Sequence, residues 1–367
     1  MSYEATRKLV EDLDAKINED DVGDPYFNNP SVHAFPLSKE GFRLIRQVKS
    51  GRKLAFVDGG NLELVGAPNF SVQMNRIYAG VWSEKNRITI DLPRIEFFSA
   101  TFSTFKNDKL YYETVIVPGS PEFEKYLPNA KDLSFDSFDR SIMSGKRRAE
   151  IDKVASIARR FAEWKFASHI IKSLNEGDVL VLDGTLQTTF SNEANYLNEL
   201  ENVAKDNGVI LSGLSKTSAL FTTTGLSLLG SVSKLAEDYD IGSEWYYTIA
   251  ESRSANHNAI ILTVKLNRIS ERAYRYEIQR DQFKNLSELQ LNEILTELVK
   301  ESSDATFPGY PFGLIDADRF ARVSYNELEY YRGLILSQMS EIGALGKFSR
   351  HIHATDAHSI LNTLVGE

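Results

Sequence analysis

The sequence predicts a mixed-sheet α/β domain, in which some strands are joined by crossover helices and others by hairpins. Two observations carry this reading. Short apolar runs, Leu54-Ala55-Phe56-Val57, Val179-Leu180-Val181-Leu182 and Val209-Ile210-Leu211, are separated by helical stretches, as buried parallel strands are. Residues 68–118 are instead dense in β-formers, with turn residues between them. The chain has 367 residues, 42% hydrophobic and 25% charged. That composition excludes a mainly disordered chain, and the length allows a sizeable core.

Taken in order, Leu9, Leu13 and Ile17 recur every fourth position and predict a helix over 3–18. Residues 18–38 hold three prolines and an Asn-Asn pair and read as an irregular arm. The first 40 residues carry nine acids and four bases, a net of −5 out of −9 for the whole chain. Leu54–Val57 reads as a strand that ends in a sharp turn at Asp58-Gly59-Gly60. Two to four antiparallel strands follow, on Phe70–Met74, Arg87–Ile90 and Tyr111–Val117, with a hairpin turn at Lys106-Asn107-Asp108-Lys109.

Residues 146–175 read as one long helix. It opens at Lys146-Arg147-Arg148 and places Ile151, Val154, Ala158, Phe161 and Ala162 on one face. A second buried strand ends in Asp183-Gly184-Thr185, and a helix over 191–206 leads to a third strand, followed by Leu214-Ser215-Lys216-Thr217. Strands are expected near 245–250, 259–266 and 272–280, and helices over 286–301, 316–323, 325–342 and 355–364. There is no internal repeat. The expected division is an acidic helix and arm over 1–40, one domain over 41–330 and a helical extension over 331–367.

Several classes of function are excluded. Without cysteine there is no disulfide, thiolate zinc site, iron–sulfur cluster or cysteine nucleophile. No Gly-x-Ser-x-Gly elbow, Rossmann glycine fingerprint, kinase signature set or Walker spacing is present. The six histidines lack metal spacing; His351, His353 and His358 form a loose C-terminal group. The start Met-Ser-Tyr-Glu-Ala has no signal-peptide character, and the longest uncharged stretch, Thr217–Ser233, is too polar to span a bilayer. The expectation is a cytoplasmic protein without a membrane partner. A pI near 5.4 argues against a broadly basic coat, but leaves room for a local basic channel.

Chemistry concentrates at strand ends, where sites collect in α/β sheets. Asp58 and Asp183 each follow four apolar residues and precede glycine. Either each starts a turn, or the two converge and repel, and a hard divalent cation such as Mg²⁺ or Mn²⁺ relieves that repulsion. Glu163 sits at the edge of an apolar helix face, beside Arg159 and Arg160; it either forms a surface ion pair or joins the site. Lys216 follows the third strand, as a turn lysine or a phosphate-binding charge. Tyr310 lies in Gly309-Tyr310-Pro311, and Asp316 or Asp318 would cap the next helix.

The ordered set resembles the NurA nuclease family of archaea and some bacteria. It comprises a strand with Asp58-Gly59, a β-rich region, a helix with Arg159-Arg160 and Glu163, then Asp183-Gly184-Thr185-Leu186, Gly213-Leu214-Ser215-Lys216 and Gly309-Tyr310-Pro311 with Leu314 and Ala317. The resemblance covers about residues 50–325. It implies a ribonuclease H-like core, Mn²⁺-dependent 5′-to-3′ exonuclease and single-strand endonuclease action on DNA, a homodimer, and a partnership in end resection with HerA, a hexameric ATPase. It also implies Asp58, Glu163 and Asp183 as metal ligands for Mn²⁺ or Mg²⁺, with two ions per site, and Lys216 and Tyr310 as auxiliary residues. Many members have His where this chain has Asp318; an acid there adds a candidate ligand and cannot donate protons as His does. Arg147, Arg148, Arg159 and Arg160 are the candidate DNA contacts.

Two other readings stay open. Actin-like and sugar-kinase phosphotransferases also bind phosphates at Asp-Gly turns, but no late adenosine-binding glycine motif is found here. The Asp at position 318 would also suit a non-catalytic subunit of the same complex.

Overall fold

The computed structural model describes residues 1–352. Helix α1 (Tyr3–Lys16) carries no buried residue. Strands β1 (Pro25–Tyr26), β2 (Val32–Ala34) and β3 (Phe42–Leu44) come next. The arm expected to be irregular is therefore partly paired: β1 joins β12 (Phe221–Thr222), and both β2 and β3 join β13 (Trp245–Ser252). Its prolines lie at or beside short edge strands, where a missing N–H costs little.

The sheet is built on β4 (Leu54–Ala67), β5 (Phe70–Ser83), β6 (Asn86–Ile88), β7 (Arg94–Lys106) and β8 (Lys109–Pro118). The turn between β7 and β8 holds Asn107 and Asp108 at φ 49° and 58°, the left-handed pair that two-residue hairpins require. Strand β9 (Phe135–Asp136) pairs with β8. Strands β10 (Val179–Asp183) and β11 (Ile210–Ser215) run parallel to β4, and β14 (Ala259–Lys265) and β15 (Tyr274–Gln279) complete the sheet. The order is β2-β13-β14-β15-β11-β10-β4-β5-β7-β8-β9. Three parallel strands, β11-β10-β4, thus sit between antiparallel wings, the mixed α/β sheet that the sequence predicts.

The expected long helix is two helices, α2 (Ile151–Ala155) and α3 (Ile157–Ile171), interrupted at Ser156, and Lys146-Arg147-Arg148 lies outside both. With α4 (Glu193–Asp206), α3 covers one face of the sheet. Helix α5 (Leu228–Asp238) packs on β13, and α6 (Arg280–Asn285) follows β15. The other face is covered by α7 (Glu288–Glu301) and α8 (Phe312–Ala321). Helices α9 (Tyr325–Glu341) and α10 (Leu345–Ile352) pack near the β4–β5 hairpin. The helix expected over 355–364, with His353 and His358, lies outside the described residues.

Side-chain alternation sorts the two faces. Leu54 and Phe56 of β4 and Val179 and Val181 of β10 point toward α7 and α8, whereas Ala55, Val57, Leu180 and Leu182 point toward α3 and α4. Phe56 is fully buried and packs so closely on Gly313 of α8 that a side chain there would clash with its ring. Phe56→Ala would cost about 3–5 kcal/mol.

Candidate functional site

The register of β10 on β4 pairs Leu182 with Val57, so the next residues, Asp183 and Asp58, stand side by side. By parity with Phe56 and Val181, both carboxylates belong to the face covered by α8. That helix supplies Asp318. One carboxylate oxygen from each of Asp58, Asp183 and Asp318 lies within 4.8 Å of the other two. Helix α8 starts at Phe312, four residues earlier than expected, so Asp316 and Asp318 lie inside it and neither is its cap. Asp316 pairs instead with Arg87 of β6, whose guanidinium also lies over the rings of Tyr78, Trp82 and Phe320. This clamp fixes α8 against the sheet.

Lys216 follows β11 and reaches the cluster, with Nζ 2.6 Å from Asp183 Oδ2 and 2.7 Å from Asp318 Oδ1. Burial opposes its charge, but hydrogen bonds to Asp183 and Asp318 outweigh this and hold the ammonium above the usual lysine range. Tyr310 is buried and donates to Asp183 Oδ1 at 3.4 Å. Burial, and then the charges of Asp183 and Asp58, push its phenol far up, so it remains a donor. A cavity of about 390 Å³ opens beside Lys216, Tyr310 and Asp318, lined also by Arg272, Tyr274 and Phe307. No sequence motif marks Arg272 and Tyr274, which come from a loop and from β15, and Phe307 is signalled only by its place in the loop that carries Tyr310.

Glu163 comes from the opposite face. Residue 59 points toward α3, and a Cβ there would meet the Glu163 carboxylate, so glycine at 59 lets Glu163 lie against the β4 backbone. Glu163 pairs with Arg159, which also donates to the Gly59 carbonyl at 2.9 Å. Burial pushes the Glu163 carboxyl up, against the pull of Arg159 and Arg160. Glu163 is thus placed beside the cluster but outside the group of three mutually close carboxylates. Arg160 pairs with Glu193, at 2.8 Å, and stacks over Trp164, while staying beside Glu163 and Asp183. Arg147 and Arg148 are exposed on the segment before α2, and Arg148 lines a cavity with Glu63 and Asp152. Among the four arginines, only Arg159 and Arg160 are brought next to site residues.

The turn after Asp183 is pinned from two sides. Gly184, at φ +130°, donates to Leu214 O, and its own carbonyl lies where a side chain at Gly213 would stand, 2.5 Å from a Cβ built there. Leu186 N–H donates at 2.8 Å to Glu277, a fully buried carboxylate on β15 that also meets Arg275 and His257.

The cluster's electrostatics favour a cation. Burial, then the charges of Asp183 and Glu163, push the Asp58 carboxyl up to about 8. Three close carboxylate oxygens form a hard donor set that suits Mg²⁺ or Mn²⁺, and a divalent ion would relieve the repulsion that raises Asp58.

The fold and this site define an α/β protein with an acidic crevice at the end of β10, beside the point where β4 runs on past its parallel pairing, whose three carboxylates could hold a cation. The NurA-domain family model matches residues 52–323, and the chain belongs to that family. The NurA nuclease from Sulfolobus solfataricus has a similar fold, with a TM-score of 0.51 at 14% identity over 93% of this chain and 98% of that one. An Argonaute from Aquifex aeolicus aligns at a TM-score of 0.29 and 10% identity, over 74% of this chain and 28% of that one, too low to carry weight. Comparison with curated proteins finds no match. No helix among the described residues is long and apolar enough to cross a membrane.

Proposed function

We propose that this chain is a metal-dependent deoxyribonuclease whose metal centre is Asp58, Asp183 and Asp318. The observation that carries this is the convergence of those three carboxylates, with Lys216 and Tyr310, at one crevice of a NurA-family chain. The strand order, with an antiparallel β4-β5-β7 meander beside two strands parallel to β4, supports the ribonuclease H-like reading.

A bound divalent ion supplies Lewis-acid activation of water and neutralises charge at the phosphodiester. The residues have separate tasks. Asp58, Asp183 and Asp318 hold the ion or ions, with Glu163 beside them and neutralised by Arg159. Lys216 offers N–H donors to phosphoryl oxygens. Tyr310, buried and packed on Tyr274 and Phe307, orients Asp183 through its phenol. Mn²⁺ and Mg²⁺ both suit the donor set. The 5′-to-3′ exonuclease and single-strand endonuclease activities, the homodimer and the HerA-type ATPase partner in end resection are proposed with it, as are a cytoplasmic location and DNA contacts by Arg147, Arg148, Arg159 and Arg160.

The test is cleavage of end-labelled single- and double-stranded DNA with Mn²⁺, Mg²⁺ or EDTA, with and without a hexameric ATPase. Metal-dependent degradation that Asp58→Ala and Asp183→Ala abolish is the expected result. Cleavage that persists in EDTA, or in both variants, would contradict it.

A further inference from the structure

We infer that Lys216 is a displaceable internal cation, so that metal loading evicts it from the cluster and delivers its charge to the substrate phosphate. This rests on the metal-centre reading above. The ammonium lies 2.6 and 2.7 Å from oxygens of Asp183 and Asp318, two of the three members of the carboxylate group. Hard divalent ions take carboxylate oxygens at about 2.0–2.6 Å. An ion on the same side chains therefore competes with Nζ for lone pairs and repels it at close range.

Lys216 is built to leave. It follows the end of β11, its side chain is 41% exposed, and it already lines the 390 Å³ cavity beside Arg272 and Tyr310. A divalent ion cuts the net charge of the three carboxylates from −3 to −1, so the attraction on Lys216 weakens while the ion itself repels the ammonium at short range. A phosphodiester supplies the anion that it then meets. Metal and substrate thereby reinforce each other through one side chain, a coupling that is reciprocal. Arg322 provides the contrast: its side chain is 74% exposed and touches Asp318 from outside the group, at 3.3 Å.

The experiment is Mn²⁺ binding to the full-length protein without DNA, followed by the electron paramagnetic resonance signal of the free ion. Lys216→Met keeps the stem and removes the charge; it should bind Mn²⁺ about five- to tenfold more tightly than the unsubstituted protein while losing cleavage. Lys216→Gln should do the same and guards against a packing effect of Met. Arg322→Gln removes an exposed charge near the same carboxylate and should change affinity by less than about twofold. Lys216 variants that bind no more tightly than the unsubstituted protein would overturn the inference. So would Arg322→Gln tightening binding equally, since the effect would then be long-range charge alone. Absence of Mn²⁺ binding in every protein would overturn the metal-centre reading itself, and this inference with it.

Discussion

Asp58-Gly59-Gly60 and Asp183-Gly184 each follow four apolar strand residues, yet the chain runs straight through the first and turns at the second. β4 continues to Ala67, and Gly59 and Gly60 within it are extended. They are needed for space: a side chain at 59 would meet Glu163 of α3, and one at 60 would meet the Ala321 carbonyl at the end of α8. Gly184 is needed for its backbone, at φ +130°. The same dipeptide thus serves close approach in one strand and reversal in the other, and both deliver an aspartate to the same crevice.

Substitutions separate these roles. The largest effect is expected at the carboxylates: Asp58→Asn or Asp183→Asn should lower metal-dependent DNA cleavage at least about 10³-fold. Asp58→Asn should also stabilise the protein in EDTA at pH 8. The folded chain holds the Asp58 proton up to about pH 8, whereas an unfolded one releases it near 3.8. The folded state thus binds more protons between these values, and stability falls as pH rises through that window. Thermal melts in EDTA from pH 5 to 9 should slope downward, and less so for Asp58→Asn.

Gly60→Ala comes next, because the obstruction is backbone, the Ala321 carbonyl, which cannot rotate aside. It should cost about 1–3 kcal/mol in urea unfolding and impair cleavage by shifting α8 and Asp318. Gly59→Ala displaces a side chain instead, with Ile77 Cδ1 2.8 Å from the added carbon, and should be milder in stability. Gly184→Ala adds no such clash, since only Arg160 is near, at 3.9 Å, but strains a turn held at φ +130° by about 1–3 kcal/mol. A neutral Gly60→Ala would contradict the assignment of space to the first motif, and a neutral Gly184→Ala the assignment of conformation to the second.

Much of this was legible in the sequence. The apolar runs marked β4, β10 and β11, and the Asn107-Asp108 turn marked the β7–β8 hairpin. The convergence of Asp58 and Asp183 was legible as one of two readings, and the observed pairing of β10 with β4, with each acid in phase with Phe56 or Val181, is what puts both on one face. The continuation of β4 was hidden, because glycines that make room for a distant helix look like turn glycines. The break at Ser156 was hidden too, since both short helices keep the same apolar face. Asp316 or Asp318 read as a cap, with Asp318 also a candidate ligand, because the start of α8 at Phe312, just after Pro311, depends on packing against Phe56 and on the Arg87–Asp316 clamp. Glu163 pairs with Arg159 as one reading had it, but its carboxylate is buried rather than on the surface, and it lies beside the three mutually close acids rather than among them.

The third ligand decides the account. Mn²⁺ affinity should be measured by calorimetry for the unsubstituted protein, Asp318→Asn and Glu163→Gln. Asp318→Asn should weaken binding about tenfold or more, and Glu163→Gln by less than about threefold. A large loss in Glu163→Gln with unchanged affinity in Asp318→Asn would contradict the Asp58–Asp183–Asp318 centre.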